Sequence, residues 1–332
     1  MHALVTGASG HLGANLVREL ISRGWNVRAL VHRDTRAIEG LDVEKVHGDI
    51  LEPESLKKAL SGIDCVFHLA ARISVSARDH EKVERMNIDG VGNIVNACIE
   101  AGIKRLVHTS SFHALQQKPL NVPLDEFRPL FDAGRYPPYN YSKAEGERIV
   151  RSAARRGLDA VIIHPTGIIG PFDYTPSHFG ATLVMIAGGQ FPAAIDAGLD
   201  WVDARDVASG MVSACEKGEQ GASYIMGGHW ISIKEVFRQA SEFAGRKCPG
   251  LTLPLWLAGA AAPCVTAFDR LRGRRPLFTT ISTKELNSNP NVSHEKASRE
   301  LGYQPRPFDE TLNDTLKWFE ANGYLNRVRK SK

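Results

Sequence analysis

Short apolar, β-branched runs alternate with stretches of helical periodicity through the first half of the chain. The runs fall at 3–6, 27–31, 43–47, 65–69, 106–109 and 160–164, and the helical stretches lie near 14–23, 55–60, 82–101 and 139–156. Gly24, Gly102 and Gly157 close three of those stretches, where a residue tolerant of the left-handed region ends a helix. Such alternation predicts parallel strands joined by crossover helices, a doubly wound α/β sheet. After Gly170 the pattern fails. The segment 171–176 reads as a loop, 181–187 as an apolar helix, 204–215 and 223–226 as a helix and strand rejoining the sheet, and the rest as mainly helical.

The first strand runs into Gly7-Ala8-Ser9-Gly10-His11-Leu12-Gly13 and then into the first helix. The three glycines answer different physical needs. Gly7 lets the chain turn sharply, Gly10 lets the backbone approach a pyrophosphate, and Gly13 lets helix pack closely on strand. With Ser9, His11 and Leu12 these residues form a phosphate cradle at a helix N-terminus, so a dinucleotide is the expected ligand. The alternative is a glycine-rich turn that is purely structural. Residues 1–170 plus 200–228 are accordingly expected to form a Rossmann-type core, and 171–199 plus 229–332 a smaller, mainly helical substrate-binding domain.

Tyr139 and Lys143 stand four apart at the head of a helix, so phenol and ammonium share one face. A neighbouring cation favours phenolate and is expected to lower the tyrosine pKa from its ordinary value of about 10. The alternative is a plain surface pair. Thr109, Ser110 and Ser111 end an earlier strand, where a parallel sheet presents ligand-contacting side chains. Ser111 could there bond a reacting oxygen.

In this order, Gly7-x-x-Gly10-x-x-Gly13, His68-Leu69-Ala70-Ala71, Ser110-Ser111, Tyr139-x-x-x-Lys143 and His164-Pro165 resemble the extended branch of the short-chain dehydrogenase/reductase superfamily. Asp206-Val207-Ala208, 224–228 and 297–303 resemble its later landmarks. Within it the chain is similar to dihydroflavonol 4-reductase-like proteins of the NAD-dependent epimerase/dehydratase family, including the hopanoid-associated sugar epimerase group. The resemblance implies that Ser111 orients a substrate carbonyl, Tyr139 exchanges its proton, and Lys143 supports Tyr139 and the nicotinamide ribose. Leu69, Ala70, Ala71, Thr109, Pro165, Thr166 and Ile168 join the cofactor-binding set, although a buried strand accounts equally for Leu69. Asn87 matches a family asparagine behind the site, or serves as a local backbone partner. The family usually has arginine where His164 stands, so His164 receives no catalytic role.

A carboxylate at the end of the second strand would favour NAD, but position 31 is valine. His32 and Arg33 follow, and Arg33 could pair with a 2′-phosphate, which makes NADP(H) the expected cofactor and NAD(H) the alternative. Arg36 and Arg28 are less well placed. Asp49, with Ile50, meets the adenine by the family pattern, or Asp49 caps the helix ahead of Pro53.

The implied reaction is reduction of a ketone or aldehyde. The alternatives are a nucleotide-sugar epimerase or dehydratase with tightly bound NAD, for which Arg205, Arg238 and 270–275 could hold a diphosphate, and a non-catalytic NADP-sensing scaffold. Phe172, Tyr174, Phe179, Phe191, Trp201 and the apolar run 253–268 suggest a small hydrophobic or aromatic carbonyl substrate, while core packing accounts for most of them equally. Broken by Pro254 and Pro263, that run is too short to span a bilayer, so no stable membrane insertion is expected; it reads as a buried or cleft-lining helix, with weak surface contact to membrane through the following arginines as the alternative. A net charge of +4 over 332 residues, with basic residues scattered, speaks against nucleic acid. Five widely spaced cysteines fit neither a metal site nor a disulfide framework. The functional strand begins at once, with no signal-peptide pattern, so a cytoplasmic protein is expected. A homodimer is expected only by analogy.

Overall fold

The computed structural model describes residues 1–325 apart from 33, 75–78, 133, 135 and 272–278, together with the backbone but not the side chains of 268–270. Arg33, most of the 270–275 arginine run and the basic tail therefore lie outside the described residues.

Seven strands form a wholly parallel sheet: β1 (His2–Thr6), β2 (Asn26–Val31), β3 (Glu44–His47), β4 (Cys65–His68), β5 (Arg105–Thr109), β6 (Ala160–Pro165) and, after three strands outside it, β10 (Ser223–Met226). Their spatial order is β3-β2-β1-β4-β5-β6-β10, with the reversal at β1 and β4 that opens a crevice at the carboxyl edge. Successive residues of β1 enter opposite cores. Ala3 and Val5 pack with α1 (His11–Ser22), α7 (Ala204–Lys217) and α11 (Glu295–Leu301), while Leu4 packs with α2 (Pro53–Leu60), α4 (Gly90–Glu100) and α5 (Pro138–Arg155). A sheet covered on both faces needs near-continuous apolar strands, which is why these runs were legible.

The expected single helix over 82–101 is broken. α3 (His80–Glu84) passes into a π-turn, Arg85–Asp89, before α4 begins. Two glycines permit the close packing there: a Cβ at Gly146 would stand 2.5 Å from the Asn87 carbonyl, and one at Gly90 would stand 2.5 Å from Ile50 Cδ1.

The later half holds more strand than its composition suggested. β7 (Gly167–Ile169), β9 (Gly198–Asp203) and β11 (His229–Ser232) form a three-stranded sheet, and β8 (Ala194–Asp196) pairs with β12 (Thr252–Pro254). Around them α6 (His178–Ala187), α8 (Ile233–Phe243) and α12 (Phe308–Ala321) enclose a third core. The aromatic residues of this region are largely spent on one another: Phe179 meets Trp201 at 4.9 Å between ring centroids, Tyr174 meets Trp318 at 5.0 Å, and Phe191 meets Phe237 at 5.8 Å.

One expectation fails outright. The apolar run forms α9 (Leu255–Leu271), but only a narrow stripe including Ala258 and Ala262 is buried, and Trp256 is 73% exposed. Its hydrophobicity reads as burial because a helix apolar all round is ordinarily a core helix; here, among the described elements, α10 (Thr280–Glu285) and the β8–β12 strand pair are its main cover.

Gly13 is the tightest contact in the first loop, since a Cβ there would lie 2.1 Å from the Gly7 carbonyl oxygen, whereas nothing stands within 4 Å of a Cβ at Gly92 in α4. Gly13→Ala is expected to cost at least about 1–3 kcal/mol in urea unfolding. Gly92→Ala is expected to gain about 0.5–1 kcal/mol.

Candidate active site

The carboxyl edges of β1, β4 and β5 carry the residues singled out above. Gly7 has φ +72°, and its missing side chain admits the Ala70 amide, which a Cβ would meet at 2.7 Å. Gly10 is the N-cap of α1, has no side-chain cap and is followed by no acidic residue in the first turn. A Cβ at Gly10 would touch only the Gly7 carbonyl, at 3.2 Å, so its outer side opens away from the protein. Free amides, a positive helix end and an open approach fit a pyrophosphate. The His11 side chain turns elsewhere, to the carbonyls of Gly170 and Pro171 at 3.1 and 3.2 Å, where Asn15 also donates. Leu12 packs against the core beneath.

At the end of β2, His32 is exposed. Arg28 is committed to Glu44 at 2.7 Å and to the carbonyls of Ala59 and Ser61, and Arg36 pairs with Asp34 at 2.6 Å. Hydrogen bonds from Arg36 hold the Asp34 carboxyl down at about 2. Asp49 does not cap α2: its Oδ1 accepts from the Leu51 amide at 2.9 Å, and Ile50 is buried beside it.

Ser111 and Tyr139 come together at the end of β5. Ser111 is buried, accepts the His113 amide at 3.2 Å and stands close enough to the Tyr139 phenol to affect its ionisation. Burial pushes that phenol up to about 12, with the nearby Ser111 hydroxyl opposing. This reverses the expected depression by Lys143, because desolvation of a phenolate outweighs an ammonium that is turned toward the sheet. Lys143 is itself buried and donates to the Thr109 carbonyl at 2.7 Å; burial brings its ammonium down to about 8, with Glu147 opposing. Thr109 ends β5 and leaves its buried hydroxyl without a protein partner. Pro165 ends β6, the next strand over, and Thr166 and Ile168 follow it.

Ser110, next to Ser111, points the other way and donates to Glu147 at 2.5 Å. Glu147 is fully buried one turn beyond Lys143, takes His164 at 2.8 Å on the same oxygen, and takes Arg151 at 2.7 Å on the other. Burial opposes its charge, but His164, Arg151 and Ser110 together hold the carboxyl down at about 2. His164 thus fills a structural post beside Glu147. Its neighbours continue the seam: His68 and His108 are register partners with stacked rings 5.5 Å apart, and the Thr6 hydroxyl meets His68 Nδ1 at 2.7 Å. Thr6 Oγ1 already accepts the Leu69 and Ala70 amides, so its own proton goes to Nδ1 and the His68 proton sits on Nε2. Burial holds His68 down at about 3 and His108 well below the ordinary range, so both rings are neutral.

Asn87 is more than a local partner. Its amide oxygen accepts the Arg72 N–H at 2.8 Å, and its nitrogen donates to the Arg72 carbonyl and to Ser142 Oγ, each at 3.0 Å. The π-turn thereby ties the loop after β4 to the helix that carries Tyr139 and Lys143. Sequence reasoning missed Glu147, although the i, i+4, i+8 spacing of Tyr139, Lys143 and Glu147 marks one helix face.

A glycine loop opening α1 and a Ser–Tyr–Lys cluster on the same parallel sheet edge are the pattern of an extended short-chain dehydrogenase/reductase, an NAD(P)-dependent oxidoreductase. The chain belongs to the NAD-dependent epimerase/dehydratase family, whose model matches residues 3–227. It is 34% identical to sterol demethylase protein B of Methylococcus capsulatus over 98% of this chain and 100% of that protein. It is 33% identical to a putative dihydroflavonol 4-reductase of Synechocystis, over 97% and 95%. Among solved structures, gox2253 is 33% identical, superposes with a TM-score of 0.85 and matches 97% of this chain and 99% of its own.

The buried carboxylate gives the site a stability signature. Its folded pKa of about 2 lies below the ordinary 4.5, so its contribution is present above pH 4.5 and fades as pH falls toward 2. Glu147→Gln is expected to cost about 2–4 kcal/mol at pH 7, in denaturant melts whose gap from wild type narrows between those pH values.

Proposed function

We propose that this protein is an NADP(H)-dependent reductase that converts a ketone or aldehyde on a small apolar molecule to the alcohol. The observation that carries the reading is the meeting of Ser111 and Tyr139 above a lysine anchored to the Thr109 carbonyl. A bound nicotinamide supplies the hydride. Ser111 orients the carbonyl oxygen, and Tyr139 gives its phenolic proton to that oxygen as it becomes an alkoxide. A phenol held at about 12 remains protonated at neutral pH, as a proton donor must, and the alkoxide is the stronger base. Lys143 stabilises the phenolate that remains.

Gly7, Ser9, Gly10, Leu12 and Gly13 would hold the pyrophosphate, Asp49 and Ile50 the adenine, and Leu69 to Ala71, Thr109, Pro165, Thr166 and Ile168 the nicotinamide half. The preference for NADP(H) is supported by Val31 where an NAD enzyme would carry an acid, and by His32 and Arg33 after it. An apolar substrate is favoured by the sterol-related relative. A sugar-nucleotide substrate is disfavoured because two arginines proposed to hold its diphosphate are already neutralised: Arg205 by Asp203 and Asp314, and Arg238 by Glu235 and Glu242.

Tyr139→Phe is expected to lower kcat about 100- to 10,000-fold against a carbonyl panel while leaving NADPH affinity unchanged. Near-wild-type turnover would contradict the assignment. Turnover of the wild type is expected to fall as pH rises through about 8, where Lys143 loses its proton, and Lys143→Arg is expected to remove that limb from the kcat profile at a lower overall rate.

A further inference from the structure

Among the described helices, α9 carries the largest group of exposed large apolar side chains. From Leu255 to Phe268 the sequence holds no charged residue, and Thr266 is its only polar side chain. Yet Trp256, Leu257 and Val265 are 73%, 39% and 37% exposed, Ala260 and Cys264 are exposed beside them, and Leu271 at the far end is 87% exposed. A helix lying on a water-soluble surface ordinarily turns a polar face outward. Here the inward stripe is alanine and the outward one is tryptophan, leucine and valine. No described helix is long and apolar enough to cross a membrane, so the face is built to lie on something rather than to span it.

The charge that follows selects the occupant. The first charged residues after the run are Asp269 and Arg270, and Arg270-Leu271-Arg272-Gly273-Arg274-Arg275 places four arginines within six positions of sequence where the helix ends. An apolar tryptophan-bearing face continued by clustered arginine is the pattern that seats in the headgroup region of an anionic bilayer. The matching face of a second copy holds no acidic residue from Leu255 to Phe268 to receive these arginines, whereas phosphodiester headgroups neutralise them. The position also has functional sense: α9 packs on α10, whose Glu285 lies close enough to raise the Tyr139 phenol further. α10 thus stands between α9 and Tyr139.

We infer that the outer face of α9 is a peripheral docking surface for a lipid bilayer, made selective for anionic headgroups by the arginines that follow it in the sequence. This stands independently of which carbonyl is reduced. The test is sedimentation of the full-length protein with sucrose-loaded vesicles of phosphatidylcholine containing about one third phosphatidylglycerol, against vesicles of phosphatidylcholine alone. Binding to the anionic vesicles is expected, more than about tenfold tighter than to neutral ones and weakened by raising salt. Trp256→Glu with Val265→Glu, and separately Arg272→Ser with Arg274→Ser and Arg275→Ser, are each expected to weaken it about tenfold or more. The first pair falls on an exposed helix face, and for both variants thermal unfolding and NADPH affinity serve as checks that the fold is intact. Phe127→Ser, which removes a 91% exposed aromatic elsewhere, is expected to leave vesicle binding unchanged. Absence of wild-type binding to anionic vesicles would overturn the inference. So would a dimer, measured by light scattering without lipid, that dissociates on Trp256→Glu with Val265→Glu, since the face would then belong to a second copy.

Discussion

A single hydrogen bond fixes the candidate active site in space: Lys143 Nζ reaches the carbonyl of Thr109 across 2.7 Å, from the first turns of α5 to the end of β5. An ammonium buried against a sheet loses hydration and keeps its charge only where dipoles and carboxylates replace the water. The Thr109 carbonyl supplies the dipole, and Glu147, one turn along, supplies the carboxylate. Because Tyr139 precedes Lys143 by one helical turn, anchoring the lysine also places the phenol beside Ser111.

Everything else at the sheet edge serves that placement. Glu147 would be costly to bury alone, so it is shared among Ser110, His164 and Arg151. His164 reaches one of its oxygens, and Arg151 from α5 itself provides the second, permanently charged partner. Asn87 in the π-turn holds Ser142 from below, so helix α5 is tied at two successive turns to elements that end at the same edge. The glycines follow a related logic after β1, two strands over: Gly13 yields space to the Gly7 carbonyl, and Gly10 leaves the end of α1 open.

The alternation of apolar runs with helical periods made the main sheet legible, because a parallel sheet covered on both faces leaves little choice of residue. The glycine loop and the Tyr139–Lys143 spacing were legible because each rests on local geometry. The small sheets were not, since strands as short as Gly167–Ile169 have too few residues to show a period. The seam of His68, His108, His164 and Glu147 was hidden for another reason: it is assembled from three strands and a helix, and only register brings the rings together. The rise in the Tyr139 pKa depends on burial, which spacing does not report. The exposure of α9 was misread because hydrophobicity alone does not say whether a core or another surface covers a helix.

Net reduction of an external carbonyl requires a nucleotide that enters and leaves in every cycle, whereas internal recycling of a hydride works best with one that stays. Denaturing the purified protein, identifying and counting any released nucleotide, and titrating the emptied protein with NADPH and NADH separates the two. Substoichiometric, freely exchanging nucleotide with tighter binding of NADPH is the result a reductase requires. Stoichiometric NAD that resists exchange would contradict that reading and place the same Ser111, Tyr139 and Lys143 in an epimerase or dehydratase.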